Sequence, residues 1–404
     1  MLKLNKQVLF SFFIYLLSLA ALLIGELVIA KSTNSLMISD WAFLKSSVMI
    51  LGTVCLMGYD TLFVRDQTLI QRYFWRFITQ TIIIACISAI VIKLLRQLNA
   101  YEAILVFLGI VFLALLSYIS SSSRANVNLW QSQVAVNFWK IIFLLFIVSS
   151  ITIGIVEGFV LSLFISLVIS FFIKGYIPKK ETFINQSPIP LSEANRMGKA
   201  FLITNLTLIM AVHGEQFFIN MLGSSDISAN IFRYTAVFTP IALSLNGFIG
   251  FYYAPKIRRL ENFYLKDFKR FSFKILLFSI LISIFSLVGG VWYMVIILDI
   301  LLSDLNLGLI VILIIMCIIR GLYTATSIGL GIFGTENNLR KSSLLMVVCT
   351  AIYLLFIVLG LLFINDTYKV VFIAFCTMCN WLVRLMISNY YTFKELKVKE
   401  NERK

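Results

Sequence analysis

The stretch Leu307–Phe333 reads LGLIVILIIMCIIRGLYTATSIGLGIF and contains a single charged residue, Arg320, at its centre. An apolar run of this length matches a hydrocarbon layer about 30 Å thick, which takes roughly 20 helical residues to cross. Similar runs recur along the whole chain of 404 residues, which is 60% hydrophobic and 13% charged. We therefore predict an all-α polytopic membrane protein.

Twelve such runs predict about twelve transmembrane helices joined by short loops. They cover residues 8–30, 41–63, 73–95, 103–120, 137–154, 156–173, 198–222, 229–253, 271–297, 307–333, 343–364 and 368–391. The longest connection is rich in proline and separates six spans from six, a division typical of transporters built from two related halves. We expect two pseudo-symmetric six-helix lobes at 1–174 and 198–392, a cytoplasmic linker at 175–197 and a cytoplasmic basic tail at 393–404.

Lysine and arginine are distributed unequally between the two sides of this topology. Of the 34 Lys and Arg residues, 26 fall on the side of the N-terminus, 4 on the opposite side and 4 within the spans. The larger group includes Lys140, and we expect the polar stretch 120–133 to be a cytoplasmic loop with a short interfacial helix anchored by Trp130 and Trp139. The positive-inside rule then predicts that both termini are cytoplasmic. Loop charges and contacts with anionic membrane lipids explain the net charge of +15, so we predict no nucleic acid partner.

Charged side chains inside the spans indicate a function. Each costs about 2.5–3.5 kcal/mol near a helix centre on insertion scales, so it should face a partner or a wet cavity. Bases outnumber acids there, which predicts a cationic cavity for an anionic substrate. The predicted substrate-binding residues are Arg320, Arg384, Arg233 and Lys45. Arginine in particular suits phosphate, because its planar fork can donate two parallel hydrogen bonds.

Other intramembrane residues are candidates for coupling and movement. Glu215, Glu26 and His213 could bind a coupling ion. Glu26 with Lys45, and Glu215 with Arg233, could equally form structural ion pairs, and His213 could simply pack between helices. Arg320 or Arg384 could also belong to a buried structural pair. Pro240 interrupts the eighth span and is a hinge candidate. Spans also contain several asparagines, Asn380 among them, which we expect to connect helices by hydrogen bonds. The cysteine spacing indicates no metal site and no cofactor.

Two short segments resemble a known transporter family. Residues 215–224 read EQFFINMLGS and residues 227–234 read ISANIFRY, followed by Pro240 and by YAPKI at 253–257. This order of features is similar to the start of the second lobe in Wzx-type flippases. It consists of an acidic residue, an apolar stretch, a Leu-Gly turn and an aromatic residue near the start of the next helix. Those flippases export O-antigen or capsular polysaccharide repeat units and belong to the multidrug/oligosaccharidyl-lipid/polysaccharide (MOP) exporter superfamily. Asn230 stands where that family usually has glycine.

The resemblance implies a two-lobe helical bundle that works by alternating access. It would move undecaprenyl-diphosphate-linked oligosaccharide from the cytoplasmic to the outer leaflet of the inner (plasma) membrane. Its expected partners are a coupling ion (proton or sodium), a glycan polymerase and a chain-length regulator. The chain contains no GxxxxGK[ST] motif for a nucleotide, and we predict that it is not an enzyme. The alternatives are an ion-coupled multidrug or other anionic-solute exporter of the same fold, and a membrane glycan polymerase.

Overall fold

A computed structural model describes residues 6–32, 34–63, 66–126, 128–149, 154–174, 191–243, 253, 257 and 263–401. The helices are α1 (Lys6–Ala30), α2 (Ser35–Cys55), α3 (Tyr59–Leu62), α4 (Thr68–Arg96), α5 (Ala100–Ala125), α6 (Leu129–Val148), α7 (Ile155–Lys174), α8 (Leu191–Leu222), α9 (Ser225–Phe238), α10 (Leu265–Trp292), α11 (Leu307–Phe333), α12 (Glu336–Phe363) and α13 (Asp366–Asn401). A π-helical turn, Tyr293–Ile297, extends α10, and a 3₁₀ turn forms at Leu302–Asp304. No strand occurs in these ranges, which confirms the predicted all-α fold class.

The outer surface of the helices is apolar. Within the described ranges, eleven helices are long and apolar enough to cross a membrane. Large side chains such as Phe172, which is 84% exposed, together with Trp75 and Phe363, project from the bundle. Such a surface is stable against hydrocarbon, and the helices satisfy their own backbone hydrogen bonds as a lipid environment requires. The chain is therefore a multi-pass membrane protein.

The eighth predicted span is a shorter helix within the described residues. α9 begins at Ser225, earlier than predicted, because Ser224 caps it by accepting a hydrogen bond from the Ile227 N–H at 3.3 Å. It ends at Phe238. Pro240 then starts a new turn, in which the Leu243 N–H donates to the Thr239 carbonyl at 2.9 Å. Proline fits there because the first turn of a helix does not need its missing N–H.

The stretch 120–133, predicted as a loop with one short helix, is mostly helical. α5 continues to Ala125 and α6 already begins at Leu129. Serine hydroxyls make the polar stretch compatible with helix: Ser122 Oγ donates to the Ile119 carbonyl at 3.0 Å, and Ser120 and Ser132 hydrogen-bond each other at 2.8 Å. Lys140 consequently lies well inside α6 rather than at its cytoplasmic end.

The chain divides into two compact units, Met1–Met221 and Leu222–Lys404. The first unit has an aromatic core in which Trp41 stacks on Phe143 with ring centroids 4.5 Å apart and meets the edge of Phe159 at 5.3 Å. It also includes nearly all of α8. The predicted boundary of the lobes at 175–197 stays a prediction, since residues 175–190 lie outside the described ranges.

Hydrogen bonds fix α8 to the first unit near both of its ends. Near its start, Asn195 Oδ1 accepts from the Tyr59 hydroxyl at 2.6 Å. Near its end, Asn220 Oδ1 accepts from Ser39 Oγ at 2.5 Å. The predicted role of asparagine as a connector between helices is confirmed at Asn220.

The second unit is organised around α13, which packs along α11 and α12 and also contacts α9 and α10. At the C-terminal end of α13, Leu396 joins a core with Phe268 of α10 and Ile328 of α11. Glu395 accepts hydrogen bonds from the N–H and hydroxyl of Thr335 at 2.8 and 2.6 Å and from Asn338 Nδ2 at 2.6 Å. A carboxylate of α13 thus caps the N-terminus of α12, where helix N–H groups lack intrahelical partners.

Candidate functional site

Arg320 and Arg384, predicted separately from two spans, meet around one pair of aromatic rings. The Arg320 guanidinium lies 4.4 Å from the centroid of the Trp381 ring. The Arg384 guanidinium lies 5.7 Å from the Tyr323 ring and 5.8 Å from the Trp381 ring. The two rings contact each other edge to face at 5.4 Å. We call these four residues the arginine cluster; it lies near the middle of α11 and α13.

The spacing of the cluster explains how it assembles. Tyr323 follows Arg320 by three residues on α11, and Trp381 precedes Arg384 by three residues on α13, so each helix places a cation and a ring on one face. When the two helices pack side by side, each arginine reaches a ring of the neighbouring helix. A cation–π contact contributes about 0.5–1 kcal/mol when exposed and about 2 kcal/mol or more when desolvated.

The two arginines differ in exposure. Arg384 is fully buried (0% exposed) and donates from Nη1 to Thr350 Oγ1 of α12 at 3.3 Å. Thr350 in turn donates to the Met346 carbonyl at 2.7 Å. Arg320 is half-buried. In this conformation Arg320 is therefore the more accessible of the two, and a ligand reaches Arg384 only if α11, α12 and α13 separate locally.

A buried polar stripe continues along α13 on both sides of Arg384. Its members are Thr377, Asn380, Arg384, Ser388, Thr392 and Glu395. Thr392 donates to the Thr326 carbonyl of α11 at 3.0 Å, and Thr377 and the Tyr353 hydroxyl of α12 lie 3.3 Å apart. Sequence reasoning identified Arg384 but missed the stripe, although its spacing of three to four residues marks one helix face. Asn380 does not connect helices as predicted, because its side chain has no hydrogen-bond partner among the described residues.

The first unit contains a second charged cluster. Lys45 of α2 and Glu26 of α1 form an ion pair in the interior, the alternative considered from their depth. Lys140 of α6, missed by the sequence analysis, lies close enough for both charges to act on it. Its Nζ donates to Asn137 Oδ1 at 2.6 Å. The signal that could have found Lys140 is its place between apolar residues inside the predicted span 137–154, where it was counted with the cytoplasmic charges.

The remaining predicted residues occupy separate places. Glu215 is buried and His213 half-buried on α8 in the first unit, whereas Arg233 is half-buried on α9 in the second. Pro240 lies just beyond the end of α9. Among the described residues, no group of three or more His, Cys, Asp and Glu side chains could hold a metal ion.

Comparison with solved structures identifies the architecture. The chain overlays on the inward-facing conformation of a multidrug resistance MATE family transporter of the MOP superfamily with a TM-score of 0.55 and 12% identity, covering 95% of this chain and 96% of that chain. The chain has the fold of a MOP superfamily transporter. A second structure, a MATE protein in the bent conformation, gives a TM-score of 0.50 at 13% identity over 98% of this chain and 99% of that chain. No family model matches the sequence, and no curated protein matches it.

Proposed function

We propose that this chain is a flippase of the inner membrane. It moves an undecaprenyl-diphosphate-linked oligosaccharide from the cytoplasmic to the outer leaflet by alternating access, and so serves O-antigen or capsule synthesis. The observation that carries this proposal is the arginine cluster, in which Arg320 and Arg384 meet around the same two rings near the middle of their helices. Two guanidinium groups at that depth suit a diphosphate, because each can donate two parallel hydrogen bonds to phosphate oxygens.

The aromatic rings support this role. A ring stabilises the positive charge through its quadrupole and carries no formal negative charge itself. Because Arg320 is half-buried and Arg384 is sealed, the substrate contacts Arg320 first and Arg384 after the helices separate. The charge of Lys45 is balanced by Glu26 in the first unit, and Arg233 is a further cationic residue of the second unit.

Coupling to an ion gradient is assigned to the acidic residues of the first unit. Glu26 is held by Lys45 and lies within electrostatic range of Lys140. Glu215 is buried on α8, two residues after His213. Protonation or sodium binding at either carboxylate would change the charge of the interior by one unit. Pro240, just beyond the end of α9, would provide a hinge.

A second candidate is an ion-coupled exporter of drugs or of another anionic solute. It is favoured by the likeness to a multidrug resistance MATE transporter over almost the whole chain. A cationic drug would have to approach two guanidinium groups, whereas an anionic solute would be attracted to them. The arginine cluster therefore favours anions, and a direct transport assay separates the two functions.

The test uses purified protein in proteoliposomes with a fluorescent undecaprenyl-diphosphate oligosaccharide, and in parallel a cationic dye. We expect the wild-type protein to flip the lipid. Arg320→Ala and Arg384→Ala should flip it at least tenfold more slowly. The corresponding Lys variants should restore the rate in part, because they keep the charge but lose the planar guanidinium fork. Lys394→Ala, which removes an exposed charge of the same helix α13, is the matched control. Normal lipid flipping by both Ala variants at equal protein abundance, or transport of the dye alone, would contradict the flippase.

A further inference from the structure

Asn380 is a buried carboxamide whose hydrogen-bonding capacity is unused. It lies one turn before Arg384 on α13 and is 4% exposed, and within the residues that the structure describes neither Oδ1 nor Nδ2 has a partner. Asn220 of the first unit is equally buried, yet its Oδ1 accepts from Ser39 Oγ at 2.5 Å and its Nδ2 donates to the Gln216 carbonyl at 2.7 Å. The protein therefore provides hydrogen-bond partners for the buried amide of Asn220 but none, among the described residues, for that of Asn380.

Two more polar atoms on the same face of α13 share this property. Trp381 Nε1 and Ser388 Oγ are buried and have no hydrogen-bond partner in the described part of the chain. At about 100° of rotation per residue, these two residues, Asn380 and Arg384 fall within an arc of about 100°. An unsatisfied buried polar group costs about 1–3 kcal/mol, and buried polar groups in proteins nearly always have partners. The three groups thus indicate an occupant that the protein itself does not supply.

The chemistry of these groups defines the occupant. An anion would satisfy Asn380 Nδ2 but face the lone pairs of Oδ1, and a cation would do the reverse. A neutral group that both donates and accepts, such as a sugar hydroxyl or an acetamido group, satisfies both atoms. The Ser388 hydroxyl can also donate and accept, and the Trp381 indole N–H donates.

We propose that Asn380, Trp381 and Ser388 form a polar subsite beside the arginine cluster that binds the sugar attached directly to the diphosphate. This inference rests on the proposed function, because the arginines would hold the diphosphate while the subsite reads the adjacent sugar. Without a sugar, this conformation leaves three buried polar groups unsatisfied, and a bound sugar would remove that cost.

The experiment measures Kd in nanodiscs for two short-chain polyprenyl diphosphates, one bare and one carrying a single N-acetylated sugar. We expect the wild-type protein to bind the sugar-bearing lipid at least tenfold more tightly. Asn380→Leu, which keeps the number and branching of the side-chain heavy atoms and removes the amide, should reduce that preference at least fivefold. It should leave the Kd of the bare lipid unchanged and the Tm unchanged or higher, since the unsatisfied amide is removed.

Matched variants separate a ligand role from a structural one. Ser388→Ala should also reduce the preference, whereas Ser283→Ala on α10, which removes another buried hydroxyl without a partner, should not. Trp381→Phe keeps a six-membered ring for Arg320 but removes the indole N–H together with the pyrrole ring, and it should also reduce the preference. An unchanged sugar preference in Asn380→Leu, or equal weakening of both lipids, would overturn the subsite while leaving the flippase intact. Failure of the wild-type protein to bind the bare diphosphate would overturn the proposed function and the subsite with it.

Discussion

At the scale of residues, the ion pair between Glu26 and Lys45 allows the stability cost of one unpaired charge inside the first unit to be measured. Glu26→Gln leaves Lys45 without its carboxylate and beside the like charge of Lys140. Breaking a buried pair from one side costs about 3–5 kcal/mol, whereas replacing both partners restores much of the stability. We expect Glu26→Gln to lower the Tm in detergent, and Glu26→Gln with Lys45→Gln to recover most of the loss.

The control for this prediction is the exposed ion pair between Lys369 and Asp366, whose atoms are 2.7 Å apart at the start of α13. Lys369→Gln should cost less than about 1 kcal/mol, because solvent screens an exposed pair. Equal losses of Tm in Glu26→Gln and Lys369→Gln would contradict this prediction, and so would a double variant that recovers no stability. Either result would mean that solvent screens the Glu26–Lys45 pair as it screens an exposed one.

At the scale of residues, the sequence predicted where charged side chains lie but not which side chains surround them. The depth of Arg320 and Arg384 follows from their places in apolar runs. Trp381 and Tyr323 were missed because each ring contacts the arginine of the other helix, and a contact between helices has no fixed sequence spacing. The unsatisfied amide of Asn380 is likewise visible only when every surrounding side chain has a position.

At the scale of elements, the crossing of α3 and α8 depends on Gly58. This residue adopts φ +75°, a left-handed conformation, and a Cβ atom there would collide with the Gly198 carbonyl oxygen of α8. A non-glycine residue in such a conformation costs about 1–3 kcal/mol before any clash. We expect Gly58→Ala to lower the Tm of the protein in detergent by several degrees.

Gly289→Ala on α10 is the matched control, because a Cβ atom there has nothing within 4 Å. Alanine is about 1 kcal/mol better than glycine in a helix interior, so this variant should be neutral or stabilising. A Gly58→Ala protein as stable as Gly289→Ala would mean that α3 and α8 do not approach this closely.

At the scale of the whole molecule, the distribution of lysine and arginine predicts the orientation in the membrane. Fusions to a phosphatase that is active only outside the cytoplasm, and to a fluorescent protein that folds only inside it, measure this directly. We expect phosphatase activity after residue 34, and fluorescence after residue 185 and after residue 404. Phosphatase activity at the C-terminus would contradict the predicted topology, since the tail carries its charges on the side that the positive-inside rule assigns to the cytoplasm.

The sequence by itself determined that the chain is a bundle of membrane helices, because apolar runs of about 20 residues leave no other way to satisfy backbone hydrogen bonds in hydrocarbon. It also located Arg320 and Arg384 near the middle of their helices, although it counted Lys140 as a loop charge. The sequence placed helix ends less well: the serines of 120–133 favour a loop, although the hydroxyls of Ser121 and Ser122 hydrogen-bond to carbonyls of their own helix. Only the tertiary structure decided that the two arginines share one aromatic pair, that Lys140 approaches Glu26, and that Asn380 has no partner. These facts depend on which helix faces pack together, and packing joins residues far apart in sequence whose types alone do not specify their neighbours.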